Sequence, residues 1–150
     1  PRPPPDTNGP TSVSELTVGS HAAHDGTSLI TAPMTCTDCH ERPQSILDEG
    51  HCDSLPPAEV RFSGRAIVGG AYPAWDRGTA TCYTTYCHGA TLVGGARTSP
   101  RWTDHTPVVC GDCHAQNYHA LVTCECHSSV WSAGQIVNPS LHINGVIDME

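Results

Sequence analysis

The chain has 150 residues, with 14 Gly, 13 Pro, a single Phe, no Lys and a formal net charge of −8 at pH 7. This length suits one ordinary domain, and we predict a single domain over residues 1–150. An acidic chain without a basic patch excludes nucleic acid as an expected partner. The lack of any apolar run of 18 residues excludes a predicted membrane span.

The chain begins with a proline-rich stretch, PRPPPDTNGP, and residues 1–20 are predicted to form an extended arm that could cross to a neighbouring subunit. Beyond it, no helical period is sustained and strand-like alternation is brief. We therefore predict a mostly irregular fold with a few short α-helices and little or no sheet. Short helices are expected after each Cys-His pair, for instance over residues 40–50 (HERPQSILDEG). A helical turn at GSHAAHDG would put His21 and His24 on one face.

The dipeptide Cys-His occurs four times, each time with another cysteine two to five positions before it. The cysteine pairs are Cys36/Cys39, Cys82/Cys87, Cys110/Cys113 and Cys124/Cys126, and the histidines that follow them are His40, His88, His114 and His127. Eight of the nine cysteines belong to these pairs. CTDCH and CGDCH have the form C-x-x-C-H, which is the attachment signature of c-type haem.

At such a site two thiols add across the two vinyl groups of a haem, and the histidine supplies the proximal ligand to the iron. We accordingly predict thioether bonds from all eight paired cysteines and four haem c groups. The longer loop of TCYTTYCHG is expected to bulge toward solvent at Thr84 and Thr85, which are small and polar. The one-residue loop of CECH would be strained or linked through one cysteine only.

Three other uses of the cysteines compete with haem. Zinc closes a tetrahedron with four ligands and does not require a histidine after each cysteine pair. A disulfide framework fits poorly with an odd number of cysteines, and a redox dithiol would account for one C-x-x-C but not for four sites. Cys52 is left over, and we predict either a free buried thiol or an intermolecular link there.

The supply of ligands favours iron held by two histidines. Beyond the four proximal residues, the chain has six more histidines: His21, His24, His51, His105, His119 and His142. Methionine is the competing distal ligand, but only Met34 and Met149 exist, and Met34 lies too near Cys36 to reach that iron easily. The distal candidates are His21, His24, His51, His119 and His142. His105 is predicted to be a surface or hydrogen-bonding residue, and a ligand from a neighbouring subunit stays open.

An aliphatic core sized for 150 residues is not visible in the sequence. Burying on the order of 500 Å² of macrocycle would contribute roughly 12 kcal/mol per haem, as an upper bound. With fewer than forty residues per haem (150/4), the haems would lie near contact and conduct electrons. Four arginines are candidates to pair with haem propionates, with solvated surface residues as the alternative: Arg61, Arg65, Arg97 and Arg101.

The stretches APMTCTDCHERPQSILDEGHCDSLPP, CYTTYCHGATLVGG, CGDCH and NPSLHINGVID together resemble the CxxxxCH/CxxCH multihaem c-type cytochromes of metal-reducing bacteria, over about residues 18–148. This resemblance implies a secreted, haem-rich electron carrier, and some multihaem relatives form filaments in which haem stacks run from subunit to subunit. It also implies proximal roles for the four Cys-His histidines and ligand positions for the five distal candidates. Two departures stand out: the one-residue spacing at Cys124/Cys126, and Cys52 where an aliphatic residue is usual.

The predicted function is electron transfer through four closely spaced haems, as the repeating subunit of an extracellular conductive filament. Identical subunits and redox proteins or extracellular electron acceptors are the expected partners. The alternatives are a soluble periplasmic or outer-surface shuttle, a multihaem reductase with a five-coordinate iron and, remotely, an adhesin. We expect an electron carrier rather than an enzyme. Because haem c is attached outside the cytoplasm, we expect a secreted, cell-surface or periplasmic mature chain whose targeting segment has been removed.

Overall fold

The structure is a computed structural model, and it describes residues 9, 12–26, 28–49, 53, 58–115 and 128–146. Two short α-helices occur in these ranges, α1 (His21–Asp25) and α2 (Cys110–Cys113), together with 3-10 turns at Cys36–Asp38, Gly64–Gly70 and Tyr86–His88. Two antiparallel hairpins pair β1 (Ala74–Asp76) with β2 (Thr81–Tyr83) and β3 (Trp131–Ser132) with β4 (Gln135–Ile136). The predicted irregular fold with short helices and little sheet is confirmed. No helix within the described ranges is long and apolar enough to cross a membrane.

The helix expected over residues 40–50 is wrong. Residues 41–49 form bends and turns, because Pro43 disfavours a helical residue before it and the Asp48 carboxylate accepts the backbone N–H groups of Gln44 and Ser45 at 2.6 and 2.8 Å. Helical turns instead lie within the motifs: Cys36–Asp38 holds the first cysteine of its pair, Tyr86–His88 the second cysteine of its pair, and Cys110–Cys113 both cysteines. The local helices are therefore part of the motifs and do not follow them.

The first hairpin positions the second cysteine pair. Trp75 of β1 pairs with Cys82 of β2, and the Asp76 side chain closes the connecting turn by accepting the Gly78 N–H at 2.8 Å. Residues 100–102 run antiparallel along β2, since the Cys82 N–H donates to Pro100 and the Trp102 N–H donates to the Ala80 carbonyl at 2.6 Å. A short three-stranded arrangement thus leads directly into Cys82.

The interior formed by side chains is small. Val18, Ala66, Ala71 and Ala80 are the buried apolar residues of the described chain, and no large side chain there is fully buried. Several large apolar side chains are almost fully exposed, among them Leu29 (88%), Leu47 (89%) and Tyr72 (91%). A domain that buries so little apolar area has a weak hydrophobic driving force of its own.

Gly89 brings the second and third cysteine motifs into contact. Its φ of +84° lies in the left-handed region, and a Cβ at this position would overlap the carbonyl oxygen of Cys113. The Cys113 sulfur also lies 3.9 Å from the Cys87 carbonyl oxygen. The glycine after His88 is therefore required by the close approach of two backbones.

We expect Gly89→Ala to lower the free energy of unfolding by about 3 kcal/mol, because the substitution adds a backbone clash to an unfavourable φ. Gly134→Ala is the matched control: Gly134 has a φ of +82° but nothing within 4 Å of an added Cβ. It should cost only about 1 kcal/mol. Thermal melting of the two purified proteins, followed by circular dichroism, compares their stabilities, and equal losses would contradict the contact at Cys113.

Candidate cofactor-binding site

A buried aspartate organises each of the two C-x-x-C-H turns. Asp38 of CTDCH accepts the backbone N–H of Thr35 on one carboxylate oxygen and that of Arg65 on the other, both at 2.8 Å. Burial alone would raise the pKa of Asp38, but the donated hydrogen bonds from Arg65 and Thr35 hold it below its ordinary value, so the carboxylate stays charged. Each turn is thereby tied both to the residue before it and to a distant segment.

The third motif repeats this arrangement. Asp112 of CGDCH accepts the Val109 N–H at 2.9 Å and forms an ion pair with Arg97 at 3.3 Å. Asp38 and Asp112 are each only 6% exposed. Sequence reasoning missed both residues, although the signal was present: an aspartate stands immediately before the second cysteine in both motifs.

The loop between Cys82 and Cys87 departs from expectation at one of its two threonines. Thr84 is exposed, with a φ of +51°, and its hydroxyl donates to the Tyr72 carbonyl. Thr85 is only 4% exposed, and its hydroxyl has no hydrogen-bond partner. The expectation that both threonines face solvent is therefore wrong for Thr85. The left-handed turn at Thr84 absorbs the extra residues and folds Thr85 inward, where its carbonyl accepts the His88 N–H.

Six histidine rings face one another in three pairs, and each pair joins a Cys-His histidine to one of the distal candidates. The ring centres lie 6.1 Å apart in His21/His40, 6.0 Å apart in His24/His88 and 6.5 Å apart in His114/His142. The angle between the ring planes is 28° in the first pair, 66° in the second and 74° in the third. The members of each pair come from distant parts of the chain.

These separations fit one metal ion between two imidazoles. A metal–imidazole bond is about 2 Å long and the ligating nitrogen lies about 1 Å from the ring centre, so two rings on opposite sides of one ion have centres roughly 6 Å apart. No group of three or more His, Cys, Asp or Glu side chains suited to a metal ion occurs in the described ranges. Two axial protein ligands suit a macrocycle that supplies the remaining four, and do not suit tetrahedral zinc.

The ring nitrogens of the paired histidines are assigned by their hydrogen bonds. In four of the six histidines Nδ1 lies 2.6–2.9 Å from a backbone carbonyl oxygen: His21 from that of Val18, His24 from that of Ser20, His40 from that of Glu59 and His142 from that of Ile30. In His114 the distance from Nδ1 to the Ala115 carbonyl oxygen is 3.2 Å. A carbonyl oxygen only accepts, so each Nδ1 carries the proton and Nε2 keeps its lone pair. Such second contacts orient histidines that bind metals.

His105 shows the opposite arrangement. Its Nε2 lies 2.9 Å from the Val13 carbonyl oxygen, so the nitrogen that the paired histidines leave free is here engaged with the backbone. The side chain is exposed, and His105 has none of the ring contacts seen in the three pairs. It differs from the paired histidines in both its hydrogen bond and its surroundings.

Burial lowers the pKa of three of the paired imidazoles. It lowers the pKa of His88 to about 4, and it lowers the pKa of His21 and of His142 below the ordinary value. A neutral imidazole is the form that binds a metal ion, so these side chains are ready to ligate at neutral pH.

Burial makes several of the described cysteine thiols hard to ionise. Burial raises the pKa of Cys39 to about 11 and that of Cys82 and Cys87 to about 12. A thiol held so far from ionisation is a poor nucleophile for disulfide exchange, which counts against a redox dithiol. None of the six described cysteines forms a disulfide, so the two disulfide-based alternatives have no support within this part of the chain.

A cavity of about 240 Å³ opens beside the second pair, lined by His24, His88, Cys82, Trp102, Arg97 and Arg101. Of the four arginines proposed as propionate partners, Arg97 and Arg101 therefore border a site. Arg65 instead donates to the carbonyls of Ala32 and Pro33 at 3.0 and 2.9 Å. Arg61 forms exposed ion pairs with Glu41, Glu49 and Glu59, which matches the surface alternative.

The second motif contacts both the third motif and the segment that precedes the first. Besides the contact at Gly89, the Cys87 sulfur lies 4.0 Å from the Met34 sulfur, just before the first motif. The remaining predicted site residues lie outside the described residues: Cys124, Cys126, His127, His51 and His119, together with the leftover Cys52.

Comparison with known proteins supports a c-type cytochrome motif in the centre of the chain. A family model described as the Geobacter CxxxxCH...CXXCH motif matches residues 81–114, which hold the second and third cysteine motifs. No curated protein and no solved structure matches the chain. The matched region covers under a quarter of the 150 residues. Within it CGDCH indicates covalently bound haem c, so this region carries the motif of a multihaem cytochrome.

Proposed function

We propose that the protein is an electron carrier with four haem c groups, each held by two histidines. The spacing of the three histidine pairs carries this proposal, because ring centres 6.0–6.5 Å apart leave room for one iron between them. The axial pairs are His21/His40, His24/His88 and His114/His142. Thioether bonds join these three haems to Cys36/Cys39, Cys82/Cys87 and Cys110/Cys113. Bound haem supplies reversible one-electron transfer at its iron.

A fourth haem belongs to Cys124, Cys126 and His127. The support for it is the repeated Cys-His motif, and its distal ligand comes from His51 or His119, the two candidates that remain after three pairs are assigned. The single residue between Cys124 and Cys126 leaves one thioether bond at this site in question.

The macrocycles also serve as the interior of the protein. The described chain has four small apolar residues in its core and leaves Leu29, Leu47 and Tyr72 almost fully exposed. Burying a macrocycle would contribute on the order of 10 kcal/mol, which exceeds what these four side chains offer. Haem attachment and folding are therefore coupled.

Electron transfer between the haems follows from their proximity. His21 and His24 stand three residues apart on α1 and ligate neighbouring haems, while the contact between Gly89 and Cys113 joins the second site to the third. Two axial histidines leave no open position at these irons, which favours conduction over reaction with a substrate. An electron carrier is therefore a better supported function than a reductase.

The haems are attached outside the cytoplasm, and we propose that the protein is secreted as the repeating subunit of a conductive filament. Three features support polymerisation: the proline-rich stretch PRPPPDTNGP, the exposed apolar side chains and the small number of residues per haem. The extended arm predicted over residues 1–20 is wrong for residues 12–20, which form turns and contact Trp102 and His105. A soluble periplasmic or outer-surface shuttle is the second candidate, since the same haem sites serve a monomer equally well.

Carbon monoxide tests the axial pairs. The reduced protein should show no spectral change with carbon monoxide, because all irons are six-coordinate. His24→Ala should bind about one equivalent, because it opens the iron opposite His88. His105→Ala, whose Nε2 is held by Val13, is the matched control and should behave as the unmodified protein. Binding by the unmodified protein would favour a reductase, and silence of His24→Ala would remove His24 as a ligand.

Electron microscopy and light scattering test the filament. The full chain should form filaments, whereas a chain shortened by residues 1–11 should polymerise at least tenfold less, because the arm is absent while the contacts of Leu16 and Val18 remain. Both preparations should contain the same number of haems by mass. Monomers under all conditions would overturn the filament and leave the electron carrier.

A further inference from the structure

The indole of Trp102 contacts two histidines assigned to different haems. Its ring centre lies 4.7 Å from that of His21, edge to face at 89°, and 5.6 Å from that of His24, at 31°. These distances fall within the range of favourable aromatic contacts. No other tryptophan of the described chain makes a ring contact with a histidine.

Trp102 is itself firmly held. The indole Nε1–H donates to the Leu16 carbonyl at 2.8 Å, and the Trp102 carbonyl accepts the Ser20 hydroxyl at 2.7 Å. Its backbone N–H is bonded to Ala80, next to β2. The indole also packs on Gly19, where a Cβ would overlap the ring. Trp102 is thus held by Leu16 and Ser20, which precede α1, and by the hairpin that carries Cys82.

The hydrogen bonds of His21 and His24 leave the orientation of each ring plane for Trp102 to restrict. Nδ1 of His21 donates to the Val18 carbonyl and Nδ1 of His24 donates to the Ser20 carbonyl, so one nitrogen of each ring has a fixed partner. The ring plane turns about the Cβ–Cγ bond, and one hydrogen bond at Nδ1 restrains that rotation without fixing it. The indole lies against both rings and restricts that rotation.

We propose that Trp102 is a positioning residue that sets the ring planes of His21 and His24, and thereby the axial geometry of two neighbouring haems with one side chain. The inference rests on the proposed function. The ring-plane angles, 28° for His21/His40 and 66° for His24/His88, then depend on one indole shared by both sites. The relative orientation of the imidazole planes influences the electronic structure of low-spin ferric iron, and hence its reduction potential.

The test is electron paramagnetic resonance of the oxidised holoprotein, which reports imidazole orientation. Near-parallel and near-perpendicular rings give distinguishable low-spin signals. Trp102→Phe keeps an aromatic ring but loses the hydrogen bond to Leu16, and it should shift the signals of the first two haems and their midpoint potentials. Trp102→Ala should shift them further. The signal of the third haem, identified by its loss in His142→Ala, should stay unchanged.

Trp131→Phe is the matched control, because Trp131 lies in the β3–β4 hairpin and should leave all signals in place. Unchanged first and second signals in Trp102→Phe, or equal shifts at all haems, would overturn the positioning role. Trp102→Phe decides the question if Trp102→Ala does not fold.

The mass of the unmodified protein is measured first. A mass equal to that of the bare polypeptide would overturn the proposed function itself, which is a result distinct from failure of the positioning role.

Discussion

Six imidazole rings that face one another across gaps of one metal ion are the arrangement on which the rest of this structure depends. Each pair joins residues that are far apart in the chain, and the rings of a pair are too far apart to attract one another strongly. Backbone carbonyls orient five of the six rings, and burial keeps three of them in the neutral form. The local structure of the described chain therefore orients these imidazoles, and under the proposed function the bound haems supply the attraction between distant segments.

This arrangement explains why the described chain has so little regular secondary structure and apolar packing. Short helical turns, two small hairpins and a few buried alanines offer the described part of the chain little apolar packing. Three of the turns have a different task, which is to hold cysteines of the motifs. Buried carboxylates at Asp38 and Asp112 secure these turns by accepting backbone N–H groups, so the attachment loops keep their shape even though little apolar packing surrounds them.

The sites are also built to be close to one another. Gly89 permits the second motif to lie against the backbone of the third, and α1 offers two histidines to neighbouring sites within one helical turn. Trp102 stands between those two histidines. Under the proposed function, the short path between the haems and the shared support for their ligands come from the same few residues.

The sequence by itself predicted the chemistry and determined the class of fold. Repeated Cys-His dipeptides predict attachment sites because the two thiols and the proximal imidazole must be close together in the chain, and the abundance of Gly and Pro with few large apolar residues predicts an irregular fold. Only the tertiary structure decided which histidine faces which, because a distal ligand approaches through space and its position in the chain is unconstrained. The turns over residues 41–49 have local causes, Pro43 and the Asp48 carboxylate, which the sequence already contained. The inward turn of Thr85 and the role proposed for Trp102 depend instead on contacts with other segments, which no local pattern records.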